Sequence, residues 1–214
     1  MCFSQIYELG FTYGKSNFIG DVGNTTFINP SENTFGTVFK WNRSSRHSYR
    51  ISYNKSTLFG DDLDSSDPRR IERGYNFETP INELSLGMEF NFFDYDLHDY
   101  DILFSPYIYS GIIYTTFQEQ ILLNNVLINS KQNKSTYGIP MVVGIKYRVL
   151  DKVIFSLEIG ARYTFTDKID GNNILNDNIN YNFGNINNDD WYMFSTLTVT
   201  YMFGRNPCYC NIGK

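Results

Sequence analysis

The sequence predicts an all-β protein: an eight-stranded antiparallel transmembrane β-barrel with short periplasmic turns and long extracellular loops. Three observations carry this. First, apolar and polar residues alternate, most clearly in Asn82–Phe92. There Leu84, Leu86, Met88, Phe90 and Phe92 share one face, and Glu83, Ser85, Gly87, Glu89 and Asn91 share the other. A period of two belongs to a strand with one oily and one polar face. Runs of about ten residues with carboxylates on the polar face suit a barrel wall better than the shorter strands of a soluble sandwich.

Second, the links between runs alternate between short and long, as outer-membrane turns and loops do. Third, aromatic residues make up 17% of the 214 residues. Girdles at two membrane interfaces would use them. Alanine is nearly absent, and Asn and Asp fill the links, which argues against helices. Mean hydropathy is negative, and no apolar stretch reaches about 18 residues, so a spanning helix is excluded. A barrel strand is only half apolar and escapes that test. The net charge of -5 disfavours a nucleic-acid partner.

The expected strands follow in order. The first is Ile6–Gly14, with Tyr7, Leu9, Phe11 and Tyr13 outward and Glu8, Gly10, Thr12 and Gly14 inward. The second is Phe35–Asn42, pointing Val38, Lys40 and Asn42 inward. The short link Arg43–His47 leads to Ser48–Lys55, where Tyr49, Ile51 and Tyr53 oppose Arg50, Ser52 and Asn54. The fourth is the run already quoted. The fifth, Ser105–Phe117, alternates poorly. The sixth, Gly138–Tyr147, sets Ile139, Met141, Val143, Ile145 and Tyr147 against Val142, Gly144 and Lys146. After Arg148–Lys152 comes Val153–Phe165, with Ser156, Glu158, Gly160, Arg162 and Thr164 inward. The eighth is Trp191–Phe203. Links one-to-two, three-to-four, five-to-six and seven-to-eight are expected to be loops of about twenty residues. An even strand count puts both termini in the periplasm. Residues 1–5 read as a signal-peptide remnant or N-terminal tail, residues 6–203 as the barrel and residues 204–214 as a periplasmic tail.

The polar face carries both signs of charge. Glu8, Glu83, Glu89 and Glu158 oppose Lys40, Arg50, Lys146 and Arg162. Eight strands leave a lumen that side chains fill, and charges there must pair. Gly10, Gly36, Gly87, Gly144 and Gly160 would make room for the long side chains. The expectation is a plugged, non-conducting barrel.

Several strings go beyond pattern: SNFIGDVG at 16–23, RRIERG at 69–74, GMEFNFFDY at 87–95, PYIYSGI at 106–112, YTFTD at 163–167 and DWYMFSTLTVTYMFGRNPCYC at 190–210. In this order they resemble the PorG-like outer-membrane barrels of Bacteroidota type IX secretion systems, from about Ile6 to Cys210. The resemblance implies an outer-membrane barrel associated with the periplasmic ring of the PorK lipoprotein and PorN. It implies no enzyme activity and brings no catalytic residues.

On this reading the partner surface comprises the link Phe93–Leu103, with Phe93, Asp94, Tyr95 and His98, and the tail with Cys208, Tyr209 and Cys210. Both His residues, His47 and His98, fall in periplasmic links. A lipid A-modifying enzyme needs a His near the outer face, so no enzyme and no cofactor is expected. Asp61, Asp62, Asp64 and Asp67 are a weak calcium candidate whose spacing departs from an EF-hand. Pairing with Arg69, Arg70 and Arg73 is the preferred reading. The cysteines are Cys2, Cys208 and Cys210. A bond between Cys208 and Cys210 would be strained, and three cysteines leave one over, which points to an intermolecular bond or a processed Cys2, with free thiols at a frayed end as the plain alternative. With the resemblance, an intermolecular disulfide from Cys208 or Cys210 to a ring lipoprotein is the hypothesis. The rival function is a surface adhesin or lipid-binding barrel working through its external loops.

Overall fold

The computed structural model describes residues 6–95, 104–123, 126–170 and 189–204. The strands are β1 (Ile6–Ile19), β2 (Glu32–Asn42), β3 (His47–Asp61), β4 (Asn76–Asn91), β5 (Phe104–Leu123), β6 (Val126–Leu150), β7 (Val153–Thr164) and β8 (Trp191–Gly204). Each pairs antiparallel with its sequence neighbour, and β1 closes on β8 from Ile6↔Gly204 to Ile19↔Trp191, making a closed eight-stranded barrel. Closure leaves no sheet edge in the wall, as a span through hydrocarbon requires.

The alternation sorts the side chains. Phe11, Tyr53, Leu86, Val143, Leu157 and Val199 are exposed on the outer wall, while Glu8, Lys40, Glu83 and Lys146 are buried in the lumen. Aromatic rings cluster at both ends of the wall. Tyr7 packs on Phe39 and Phe203 near the short turns, and Tyr13 on Phe35 near the long loops. Two glycines make room for the lumen contents. A Cβ on Gly144 would lie 2.6 Å from the Tyr107 ring, and one on Gly160 would lie 2.7 Å from the Arg162 guanidinium.

Three expectations on the links need correction. The supposed long loop between the fifth and sixth strands is largely paired backbone: β5 and β6 stay in register to Leu123↔Val126, with an irregularity between Gln118 and Gln120. The flanking ladders stop earlier, at Ile81↔Phe117 and Gly138↔Thr164, so this ribbon stands clear of the barrel. Beyond the last rungs of β4 and β7 the wall no longer imposes its alternation on this ribbon, so its sequence reads as loop. The third link is also shorter, because β3 and β4 pair out to Asp61↔Asn76. It holds a 3₁₀ turn (Asp62–Asp64) and α1 (Pro68–Arg73), which Asp67 caps and Gly74 ends at φ 67°. Finally, β6 runs to Leu150, so Arg148 belongs to the strand and faces the lumen.

Candidate functional site

The lumen is stratified. At its middle, Glu89 of β4 bridges two lysines, with Lys40 Nζ of β2 at 2.8 Å and Lys146 Nζ of β6 at 2.6 Å. Arg50 of β3 grips Glu158 of β7 with both nitrogens, at 2.7 and 3.0 Å, and lies 4.0 Å from Glu89. Tyr107 of β5 donates its hydroxyl to Glu158 at 2.5 Å. Lys40 and Arg50 stand directly opposite each other across two strands, an arrangement that repels on its own. Glu89 and Glu158, reaching in from other strands, offset it. Tyr107 also receives both lysines over its ring at 5.3 and 5.2 Å, and Arg50 lies over Tyr109.

Toward the loop end, Arg162 approaches Glu83 at 3.3 Å, and Tyr192 and Asn54 donate to the same carboxylate at 2.6 and 3.1 Å. Toward the turn end, Glu8 accepts hydrogen bonds from Asn42 and Thr200, both at 2.8 Å. All eight charged residues singled out from the sequence therefore lie in the lumen. Seven make ion pairs, and Glu8 is held by neutral donors. Sequence reasoning missed Tyr107, Tyr109, Tyr192 and the buried cation Arg148.

It also missed an apolar plug at the loop end, where Phe18, Leu58, Phe77, Ile113, Phe117 and Phe194 meet inside the mouth. Val22 and Ile169, from the first and last long links, are wholly buried in it. A latch holds the plug. Asp62, also buried, accepts from Arg73 at 2.8 Å and from the Gly23 and Tyr75 amides at 3.0 and 2.9 Å. Burial alone would raise its carboxyl pKa, but Arg73 and the two amides hold it below the usual carboxylate range. Arg70 donates to the Gly20 and Gly23 carbonyls at 3.0 and 2.9 Å. The calcium candidate does not assemble: Asp61 and Asp67 cap the 3₁₀ turn and α1, Asp62 serves the latch and Asp64 is exposed.

Beside this latch, Asp190 is buried near Asp170, and burial followed by the Asp170 charge pushes its carboxyl well above the ordinary range. The native state keeps this proton to higher pH than the unfolded chain. Stability is undiminished below the ordinary carboxyl range and falls as pH rises toward the raised value. Asp190→Asn, which retains an oxygen for the Ile169 amide, is expected to raise the urea midpoint at pH 8 and leave it unchanged at pH 3. Equal effects at both pH values would refute the assignment.

At the turn end, Tyr95 folds back into the mouth, 4% exposed, with Lys146 Nζ 4.8 Å from its ring centroid. Its placement on a partner surface is thus corrected: a ring over a buried ammonium is more favourable than one in water. Phe93 remains exposed beside Phe104, and Asp94 pairs with Arg46 at 2.6 Å. His98, Cys2, Cys208, Tyr209 and Cys210 lie outside the described residues.

A family model described as a domain of unknown function, DUF6089, matches residues 1–212. No curated protein matches the chain. Among solved structures, the chain is similar to a major outer membrane protein from Thermus thermophilus, with a TM-score of 0.55, 10% identity and coverage of 94% of this chain and 100% of that one. It is also similar to the N-terminal β-barrel domain of Pseudomonas aeruginosa OprF, with a TM-score of 0.51, 11% identity and coverage of 95% and 100%. At these identities the likeness concerns the fold, which is that of outer-membrane barrels.

Proposed function

The chain belongs to the DUF6089 family, and we propose that it is a non-enzymatic outer-membrane barrel that anchors the periplasmic ring of the type IX secretion system. The observation that carries the reading is the double seal of the lumen. A charge network and an apolar plug fill the barrel, so nothing passes through it, and function falls to the two rims. Of the two histidines, His47 packs edge-on against Phe90 at the turn end, away from the mouth where a lipid-modifying centre would work.

The resemblance to PorG-like barrels supplies the partner, a ring of PorK and PorN type. On this reading the short turns and both termini are periplasmic. Phe93, the Arg46–Asp94 pair and the tail meet the ring, and Cys208 or Cys210 forms a disulfide to its lipoprotein. A closed barrel resists deformation because every strand has two neighbours, which suits an anchor under load.

The test is affinity purification from native outer membranes, followed by a non-reducing gel with Ser at each cysteine in turn. Ring proteins in the eluate and a shifted band abolished by Cys208→Ser or Cys210→Ser are expected. An eluate without ring proteins refutes the anchor. The adhesin reading draws on one feature, the β5–β6 ribbon that stands beyond the wall. It predicts that deleting residues 119–132 abolishes surface attachment while secretion continues.

A further inference from the structure

We propose that the outer wall at the loop end carries a binding site for the phosphorylated sugar headgroup of an outer-leaflet glycolipid, built where β4 and β5 part. The proposal rests on the loop end facing outward, as read above.

The site begins with a break in the ladder. β3–β4 pairing runs out to Asp61↔Asn76, and β5–β6 pairing to Leu123↔Val126, but β4–β5 pairing stops at Ile81↔Phe117. Two strands that pair with their outer neighbours and not with each other must splay, and Pro80 brings no amide to close the gap. The resulting groove holds about 170 Å³ and is lined by Pro80, Asn82, Thr116, Phe117, Gln118 and Asn133. That is room for on the order of five or six waters, or one hexose ring. Its lining matches a sugar: three amides and a hydroxyl meet ring hydroxyls, while Pro80 offers apolar surface to the ring face, the Phe117 ring being turned inward into the plug.

A cation stands at its edge. Lys55 pairs across the ladder with Asn82 and points outward, exposed. Tyr53, one outward position nearer the bilayer, donates to the Asn82 side chain at 3.1 Å. That leaves the Asn82 amide hydrogens for a ligand. Lys15 is exposed on β1, opposite Asn33 of β2. The two lysines are two strand spacings apart, about 10 Å, and one two-residue step apart, about 7 Å. Two long side chains span that distance to two phosphates or converge on one. Neither has an acidic ion-pair partner among the described residues, and Lys15 Nζ donates only to the Ser31 carbonyl, at 3.0 Å.

The level matters as much as the charge. Lys15 and Lys55 follow directly on the aromatic residues Tyr13, Phe35 and Tyr53, the ring that meets the headgroup region. At the matching level on the neighbouring strands, Ser195 beside Lys15, Thr116 beside Asn82 and Ser135 beside Thr116 are all uncharged. The acid Glu78 lies two outward positions beyond Asn82, further from the bilayer. A lysine there meets the leaflet's phosphates without crossing hydrocarbon.

The test is native mass spectrometry of the purified barrel in detergent with bisphosphorylated lipid A, dephosphorylated lipid A, phosphatidylglycerol and inorganic phosphate as separate probes. One bisphosphorylated lipid A should be retained per barrel. Lys15→Gln with Lys55→Gln should weaken retention about tenfold, and Asn82→Leu should weaken it without changing the phosphate preference. Lys152→Gln, at the turn end, should change nothing, and heat-modified gel migration reports that each variant is folded. Equal retention of dephosphorylated lipid A or of phosphatidylglycerol, full competition by inorganic phosphate, or retention unaltered in the lysine variants overturns the site. Orientation is read separately, by maleimide labelling of Ser66→Cys in a cysteine-free chain in whole cells. A protected thiol would refute the outward loop end while leaving the headgroup measurement intact.

Discussion

Glu89→Ala is expected to destabilise the barrel by about 3–5 kcal/mol, the cost of breaking a buried ion pair from one side. Glu89 is wholly buried and is the carboxylate that both Lys40 and Lys146 reach, at 2.8 and 2.6 Å. Removing it leaves two ammonium groups in the lumen beside Arg50, whose own partner is Glu158. The same region tolerates a coordinated change. Lys40→Met, Glu89→Leu and Lys146→Met together remove all three charges, and apolar replacement of a buried network costs little or even stabilises. The triple variant should recover most of the loss. Urea midpoints of the barrel refolded into vesicles measure both. A triple variant as unstable as Glu89→Ala would mean that the charges stabilise the barrel by more than mutual compensation. A steady planar-bilayer conductance in the wild type would show that the lumen is not sealed.

What was legible in the sequence follows from where each residue meets a boundary. Leu84 to Phe92 alternates cleanly because one face meets an apolar medium and the other a polar lumen. The carboxylates and cations were assigned to the lumen because they share parity with Gly87, Gly144 and Gly160. Tyr107 and Tyr109 blurred β5, since a tyrosine suits either face: its ring belongs with the wall, yet its hydroxyl reaches Glu158 or Ser85 inside. The plug was invisible for a different reason. Val22 and Ile169 sit in links with no period, and only the fold brings them over the mouth. Tyr95 misled in the same way, because nothing in a link tells a partner-facing ring from one turned back over Lys146. The β5–β6 ribbon continues past the last rungs of β4 and β7, so the period that the wall imposes ends before the pairing does.

Leu86→Arg is expected to cost about 2–4 kcal/mol, and Leu63→Arg close to nothing. The two leucines form a controlled pair. Leu86 is 63% exposed and Leu63 is 66% exposed, so to water they are equivalent. Their settings differ. Leu86 lies between Ile51 of β3 and Ile112 of β5 in the outward row Leu84, Leu86, Met88 and Phe90, mid-height on the wall. Leu63 lies in the 3₁₀ turn of the third link, above the aromatic ring. In a water-soluble barrel an exposed leucine-to-arginine change at either position would lie within about 0.5 kcal/mol of zero, and Leu86→Arg would even relieve an oily patch. In a bilayer the arginine at mid-wall must carry its charge into hydrocarbon or drag water and headgroups to it, and the cost falls off toward the interfaces. Urea titration of both variants folded into vesicles separates the cases. A gap of at least about 2 kcal/mol between them assigns the outward face to lipid. Indistinguishable midpoints would mean that the wall of Leu86, Val143 and Leu157 is covered by protein or water, and the membrane-spanning reading of this chain would fall with them.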